Sequence, residues 1–173
     1  MTMQYDVLSG HLESSGFIVP TGRVRLKQIT FQGSGSGAGV VEVFDTTVTP
    51  ITATYGRSGT TVTVSKTSHG LSTGDYVGIA FNAAGGGSGT DGNYPITVSD
   101  ANTFTITDIN SGTVSPGTSC RYVNTGSRWL TSFATATSQT VPVAIFVPGE
   151  GMLAKNGLYV NFSNTSWVTV FYG

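Results

Sequence analysis

Apolar and polar residues alternate with a period of two in several short stretches of this chain, the pattern of half-buried β-strands. The longest runs from Arg23 to Phe31, where Val24, Leu26, Ile29 and Phe31 are the apolar members. A one-residue slip at Gln28 predicts a β-bulge. Residues 40–45 form a second strand, joined to the first by the glycine-rich hairpin loop 33–39. Alternation is clean over 61–65, 76–81, 94–98 and 103–107, and further strands are expected over 158–162 and 167–172. Residues 141–147 are more continuously apolar. Pro142 has no N–H to give to a ladder, so that strand begins there or lies on an edge.

Turn signals separate these runs: Thr90-Asp91-Gly92-Asn93, Ser99-Asp100-Ala101-Asn102, Pro148-Gly149-Glu150-Gly151 and Asn156-Gly157. Their spacing, roughly 8–12 residues, is that of sandwiches and barrels. No stretch holds a helical period over three turns, and the best helical candidate, 151–156, is a single turn. The expected fold class is all-β, a jelly-roll-like β-sandwich interrupted by a small inserted β-module. Residues 50–124 form the insert, very rich in Thr, Ser and Gly, whereas 1–49 and 125–173 carry most of the Arg, Lys, Leu and Phe and both Trp. Neither flank has enough strands to close a sandwich alone. The two flanks therefore complete each other, and the insert leaves and returns at a hairpin tip, where insertions are tolerated.

Composition narrows the function. Charged residues are 10% of the chain, against about 25% in typical soluble domains. Gly, Ser and Thr together make 70 of 173 residues, and the net charge is -1. Eight Lys and Arg spread along the chain make no basic stripe for phosphates, which argues against nucleic acid. The β-branched and aromatic content argues against disorder, and scarce Leu, Glu and Lys against a coiled coil. One cysteine, Cys120, allows no internal disulfide and reads as a small buried strand residue. The polar opening and the lack of a long apolar run lead to the expectation of a protein made in a cytoplasm and outside membranes. A surface with so few charges suits contacts with other chains, including copies of itself in a symmetric oligomer.

Within the insert, Thr67-Ser68-His69-Gly70-Leu71-Ser72-Thr73-Gly74-Asp75-Tyr76-Val77, then 89–98 and then 100–106, follow the pattern HGL..GD.V, G.Y.V and N.FT. This resembles a small β-module that recurs in structural proteins of tailed bacteriophages. The flanks, through 5–10, 21–27, 147–153, 157–160 and 168–173, resemble small virion proteins of marine and cyanobacterial podoviruses. The resemblance implies a non-enzymatic virion protein, with other tail or capsid subunits as partners. The expected place is a tail-associated ring or fibre-linked component near the head–tail junction, the insert being the part available to the host surface. The alternatives are a capsid decoration protein and, in a different class, a carbohydrate-binding module using Trp129 or Tyr94.

Candidate chemistry is sparse, and the expectation is no catalytic set, no cofactor and no metal. The loop 33–39 lacks phosphate-loop spacing and leads into a strand. His69 near Asp75, Ser68 and Ser72 reads as a turn with Leu71 packed beneath it, since no nucleophile turn or oxyanion hole is signalled. Asp91-Gly92-Asn93, Asp100-Ala101-Asn102 and Asp108-Ile109-Asn110 have the hard oxygens calcium needs, but Asx residues more often cap turns. Arg23, Arg25 and Lys27 share one face of a strand, either solvated or paired with an acidic partner protein. In the last strand, Trp167 and Phe171 are expected in the core and Tyr172 in a subunit contact.

Overall fold

The structure, a computed structural model, describes residues 7–81, 88–124 and 126–173. Fourteen strands lie among them, with no helix. In chain order they are β1 (Leu8–Leu12), β2 (Gly16–Val19), β3 (Val24–Gly33), β4 (Ala38–Asp45), β5 (Ile51–Ser65), β6 (Tyr76–Phe81) and β7 (Gly92–Pro95). There follow β8 (Thr97–Asp100), β9 (Thr103–Val123), β10 (Arg128–Thr137), β11 (Val143–Phe146), β12 (Met152–Ala154), β13 (Leu158–Ser163) and β14 (Thr165–Tyr172). The chain divides into two units, Met1–Thr47 with Ser132–Gly173, and Val48–Thr131.

The first unit is a β-sandwich. One sheet has the order β1-β14-β3-β11, with β12 also on β3, and the other has the order β10-β4-β13-β2. The short β11 and β12 lie along the same strand, β3, and act as one interrupted edge strand. Numbered one to eight along the chain on that basis, the sandwich strands run 1-8-3-6 in one sheet and 5-4-7-2 in the other. That order is a jelly roll. The interior takes Val24, Leu26, Ile29 and Phe31 from β3 and Val168 and Val170 from β14. Phe31 meets Phe133 of the opposite sheet, with ring centroids 6.4 Å apart.

The bulge signalled near Gln28 is present. Gln28 and Leu26 oppose the consecutive residues Phe171 and Tyr172, which leaves Lys27 as the extra residue. β11 starts directly after Pro142 and lies at the sheet edge, where the missing N–H costs no ladder bond. The helical candidate at 151–156 is corrected: it is β12 followed by a turn. Asp45 explains why. Its carboxylate accepts the N–H groups of Lys155 (2.9 Å) and Asn156 (2.7 Å), so the chain turns instead of coiling. Gly151, at φ +83°, makes the entry, and a Cβ there would collide with the Leu26 carbonyl.

A second correction concerns β14. Val168 and Val170 are fully buried, whereas Trp167 and Phe171 are half-buried on the opposite, outward face. Alternation separates the two faces correctly but leaves both apolar. The paired strand decides between them: Val168 and Val170 lie beside the buried Phe31 and Ile29, while Phe171 lies beside Gln28 and Trp167 beside Gln32.

In the second unit β5 and β9 pair along most of their length, with register slips between Tyr55 and Arg57 and between Gly59 and Thr61. β8 and β6 take the other side of β9 near its two ends, and β7 pairs outside β6. Inward positions build one core from Tyr55, Val62, Val64, Val77, Ile79, Ile96, Phe104, Ile106, Cys120 and Tyr122. Outward positions are mostly Thr and Ser. This unit is therefore half-polar by construction, with a small apolar interior under a hydroxyl-rich exterior.

Candidate functional site

The four residues expected at an interface come together at one end of the sandwich. Arg25 exchanges both backbone hydrogen bonds with the last residue, Gly173, which sets the start of β3 beside the end of β14. Arg23 is exposed there, and Tyr172 is half-buried between Leu8 of β1 and Leu26 of β3. The Arg25 guanidinium lies 3.2 Å from the Glu150 carboxylate, and Lys27 Nζ donates to the Glu150 carbonyl at 2.6 Å. Both cations thus clip the loop between β11 and β12 of their own chain. At this exposure the ion pair is worth about 0–1 kcal/mol, so it orients the loop more than it stabilises the fold.

Beside that end lies the outward face of the same sheet. Cross-strand register sets Ser9, Phe171, Gln28 and Phe146 in one row and His11, Thr169, Thr30 and Ala144 in the next, with Trp167 beside Gln32. Phe146 is 72% exposed. His11 Nδ1 and the Thr169 hydroxyl are 2.8 Å apart, and the His11 ring sits 5.8 Å from that of Trp167. The Gln28 amide donates to the Thr30 hydroxyl at 3.2 Å. The polar side chains of this face are therefore held in place by one another.

In the second unit the candidate reactive groups hold backbone. His69 Nε2 donates to the Asp100 carbonyl (2.9 Å), its Nδ1 accepts the Leu71 N–H (3.0 Å), and its ring packs edge-on against Phe104. Asp75 accepts the Ser72 N–H at 2.8 Å and is thus the acceptor of a separate turn. Of the three Asp-x-Asn pairs expected as turns, only Asp100-Ala101-Asn102 caps one; Asp108 and Asn110 lie within β9, and Asp91 and Asn93 bond other strands. Asp100 accepts the Asn102 N–H and the Thr103 hydroxyl, and these bonds hold its carboxyl below the usual range. Asp91 accepts the Phe81 N–H at 2.7 Å, and Asn93 forms a two-way pair with the Trp129 backbone, each bond 3.0 Å. Among the described residues no three His, Cys, Asp or Glu side chains gather as a metal set.

Asp108 is the centre of a cluster that sequence spacing does not reveal. Arg57 and Asp108 are both buried, 3.5 Å apart. Arg57 donates to the carbonyls of Gly59, Ser88 and Asn110. Asp108 accepts the N–H groups of Thr90 (2.6 Å) and Asn110 (2.9 Å). Burial alone would raise its pKa, but those bonds and the Arg57 charge outweigh it and hold the carboxyl low. The hydroxyl of Tyr94 donates to the Thr90 carbonyl at 2.6 Å. Burial and the charges of Asp108 and Asp91 push its pKa up to about 12. With its ring on the core and its hydroxyl occupied, Tyr94 serves the fold. A groove of about 500 Å³ lies on the same unit, lined among others by Arg57, Thr61, Thr63, Ser115 and Pro116.

No family model and no curated protein matches the chain. Among solved structures, the phage phi92 endosialidase is similar over 81% of this chain and 20% of that one, at 21% identity and a TM-score of 0.32. This chain spans about a fifth of that protein's length, and a likeness of this size carries no functional argument.

Proposed function

We propose that this chain is a non-enzymatic structural component of a tailed-phage particle, a tail-associated ring or fibre-linked protein near the head–tail junction. One observation supports the reading above the rest: a jelly roll whose fourth and fifth strands are separated in sequence by a module with its own hydrophobic core. Such a chain carries a second folded unit without relying on it to complete the sandwich. The module is also the segment whose HGL..GD.V pattern resembles a recurrent phage β-module. Its histidine and aspartates are bonded to backbone groups of the module, which favours a structural role over a reaction.

Docking is assigned to the sandwich end that carries Arg23, Arg25, Lys27 and Tyr172, together with Leu8, which is 56% exposed. There the start of β1, the end of β14 and the loop between β11 and β12 meet, and exposed apolar and cationic groups lie side by side. Gold-labelled antibody against this chain, applied to gradient-purified particles, tests the reading. Label at the tail vertex is expected. Label spread over the shell would make the protein a capsid decoration component, and unlabelled particles would overturn the proposal.

A further inference from the structure

Three exposed places invite a ligand: the groove on the second unit, the long edge strand β5, and the outward face of the sheet β1-β14-β3-β11. The third has the most defined chemistry. Trp167, Phe171 and Phe146 stand on one side of a regular sheet. Strands are about 4.8 Å apart and rise about 3.4 Å per residue, so Phe171 and Phe146 lie about 10 Å apart across β3. On the same spacing Trp167 lies about 14 Å along β14 from Phe171. Every ring has an amide, hydroxyl or imidazole neighbour: Gln28 between the two phenylalanines, and His11, Thr169 and Gln32 around Trp167.

We infer that this face is a binding platform for a neutral polysaccharide chain lying across the strands. The chemistry matches on both counts. Aromatic rings offer flat apolar surfaces to the C–H faces of sugar rings, while side-chain amides and hydroxyls bond the ring hydroxyls. The charge also matches. Apart from His11, no ionisable side chain stands in the rows just named, and of the cations near the start of β3, Arg25 and Lys27 are directed to Glu150. An anionic glycan would find no counter-charge among these aromatic rows. A second copy of the chain fits less well, because a stable protein interface needs a contiguous apolar centre and here each ring is separated from the next by polar groups. The bonds His11–Thr169 and Gln28–Thr30 hold the polar groups before any ligand arrives, which lowers the ordering cost of binding. This inference stands on the sandwich alone and does not depend on the proposed place in a particle.

Affinity electrophoresis of the full chain tests it, in native gels containing a soluble β-glucan, a galactomannan or a dextran, with alginate as the anionic control. Retardation by at least one neutral polymer and none by alginate is expected. Phe146→Ala changes an exposed side chain and should leave the melting temperature unchanged while weakening retardation about tenfold. Trp167→Ala should do the same or more, and Trp129→Phe should leave retardation intact. Migration unaffected by every neutral polymer would overturn the proposal, as would retardation that both Ala variants retain. Dimerisation of the wild type that Phe146→Ala abolishes would assign the face to a second copy and overturn it too.

Discussion

Arg57 and Asp108 occupy interior positions where an apolar pair would be the ordinary choice. The reason is the number of backbone groups they serve. Between them they satisfy three carbonyls and two N–H groups from three separate stretches of the second unit. Removing one partner strands the other, so Arg57→Met should lower the unfolding free energy of this unit by about 3–5 kcal/mol, read by urea denaturation. The pH dependence has a definite sign. The folded pKa of Asp108 lies below its unfolded value, so its contribution is full above about pH 4 and is lost as pH falls through the folded pKa. Asp108→Asn should therefore be less stable than wild type at pH 7 and show a flatter loss of stability as pH falls below about pH 4. A slope equal to that of wild type would show that other carboxylates govern acid unfolding. In the sequence Asp108 was visible only as one of three Asp-x-Asn pairs. Its partner Arg57 lies on another strand, opposite Val114, and the two meet across the β5–β9 register slip between Gly59 and Thr61.

At the scale of elements, strands with a clean period of two were legible, and strands built from small polar residues were not. β3, β4, β6, β13 and β14 follow the alternation of Val, Ile, Leu and Phe with polar residues. The first half of β5 and the second half of β9 did not stand out, because their inward positions hold Tyr55, Arg57 and Cys120 among Thr, Ser and Gly. β1, β2, β10 and β12 also went unsignalled. The first two are short, and β12 has three residues whose place is set by pairing with β3. In β14 the pattern separated the faces, but the inner one is chosen by neighbours it cannot name. The two faces should answer substitution differently. Val170→Ala removes buried methyl groups beside Ile29 and should cost about 2 kcal/mol. Phe171→Ala removes a larger side chain but from the outward face, and should cost less than Val170→Ala. Denaturant titration of the two variants decides, and the reverse order would place Phe171 in the core.

For the whole molecule, the period-two alternation and the evenly spaced turn signals were enough to set the all-β class. The structure divides into two units at 47/48 and 131/132, and the shift in composition was placed at 49/50 and 124/125. The difference lies in β10, whose Trp129 backbone is bound to Asn93 of the module, a tie that composition does not encode. The residues proposed for docking stood out in the sequence as types, a cationic strand and a tyrosine in the last strand. Their grouping around Gly173 and Glu150 needed the sheet order. The aromatic outward face was hidden because its three rings come from two strands that are not neighbours in sequence or in the sheet.

Copy number per particle tests the central claim most directly, by quantitative mass spectrometry of purified particles against the major capsid protein. A structural component that closes a ring at the tail should be present at about 6 to 12 copies in every particle. Absence from purified particles would contradict the account.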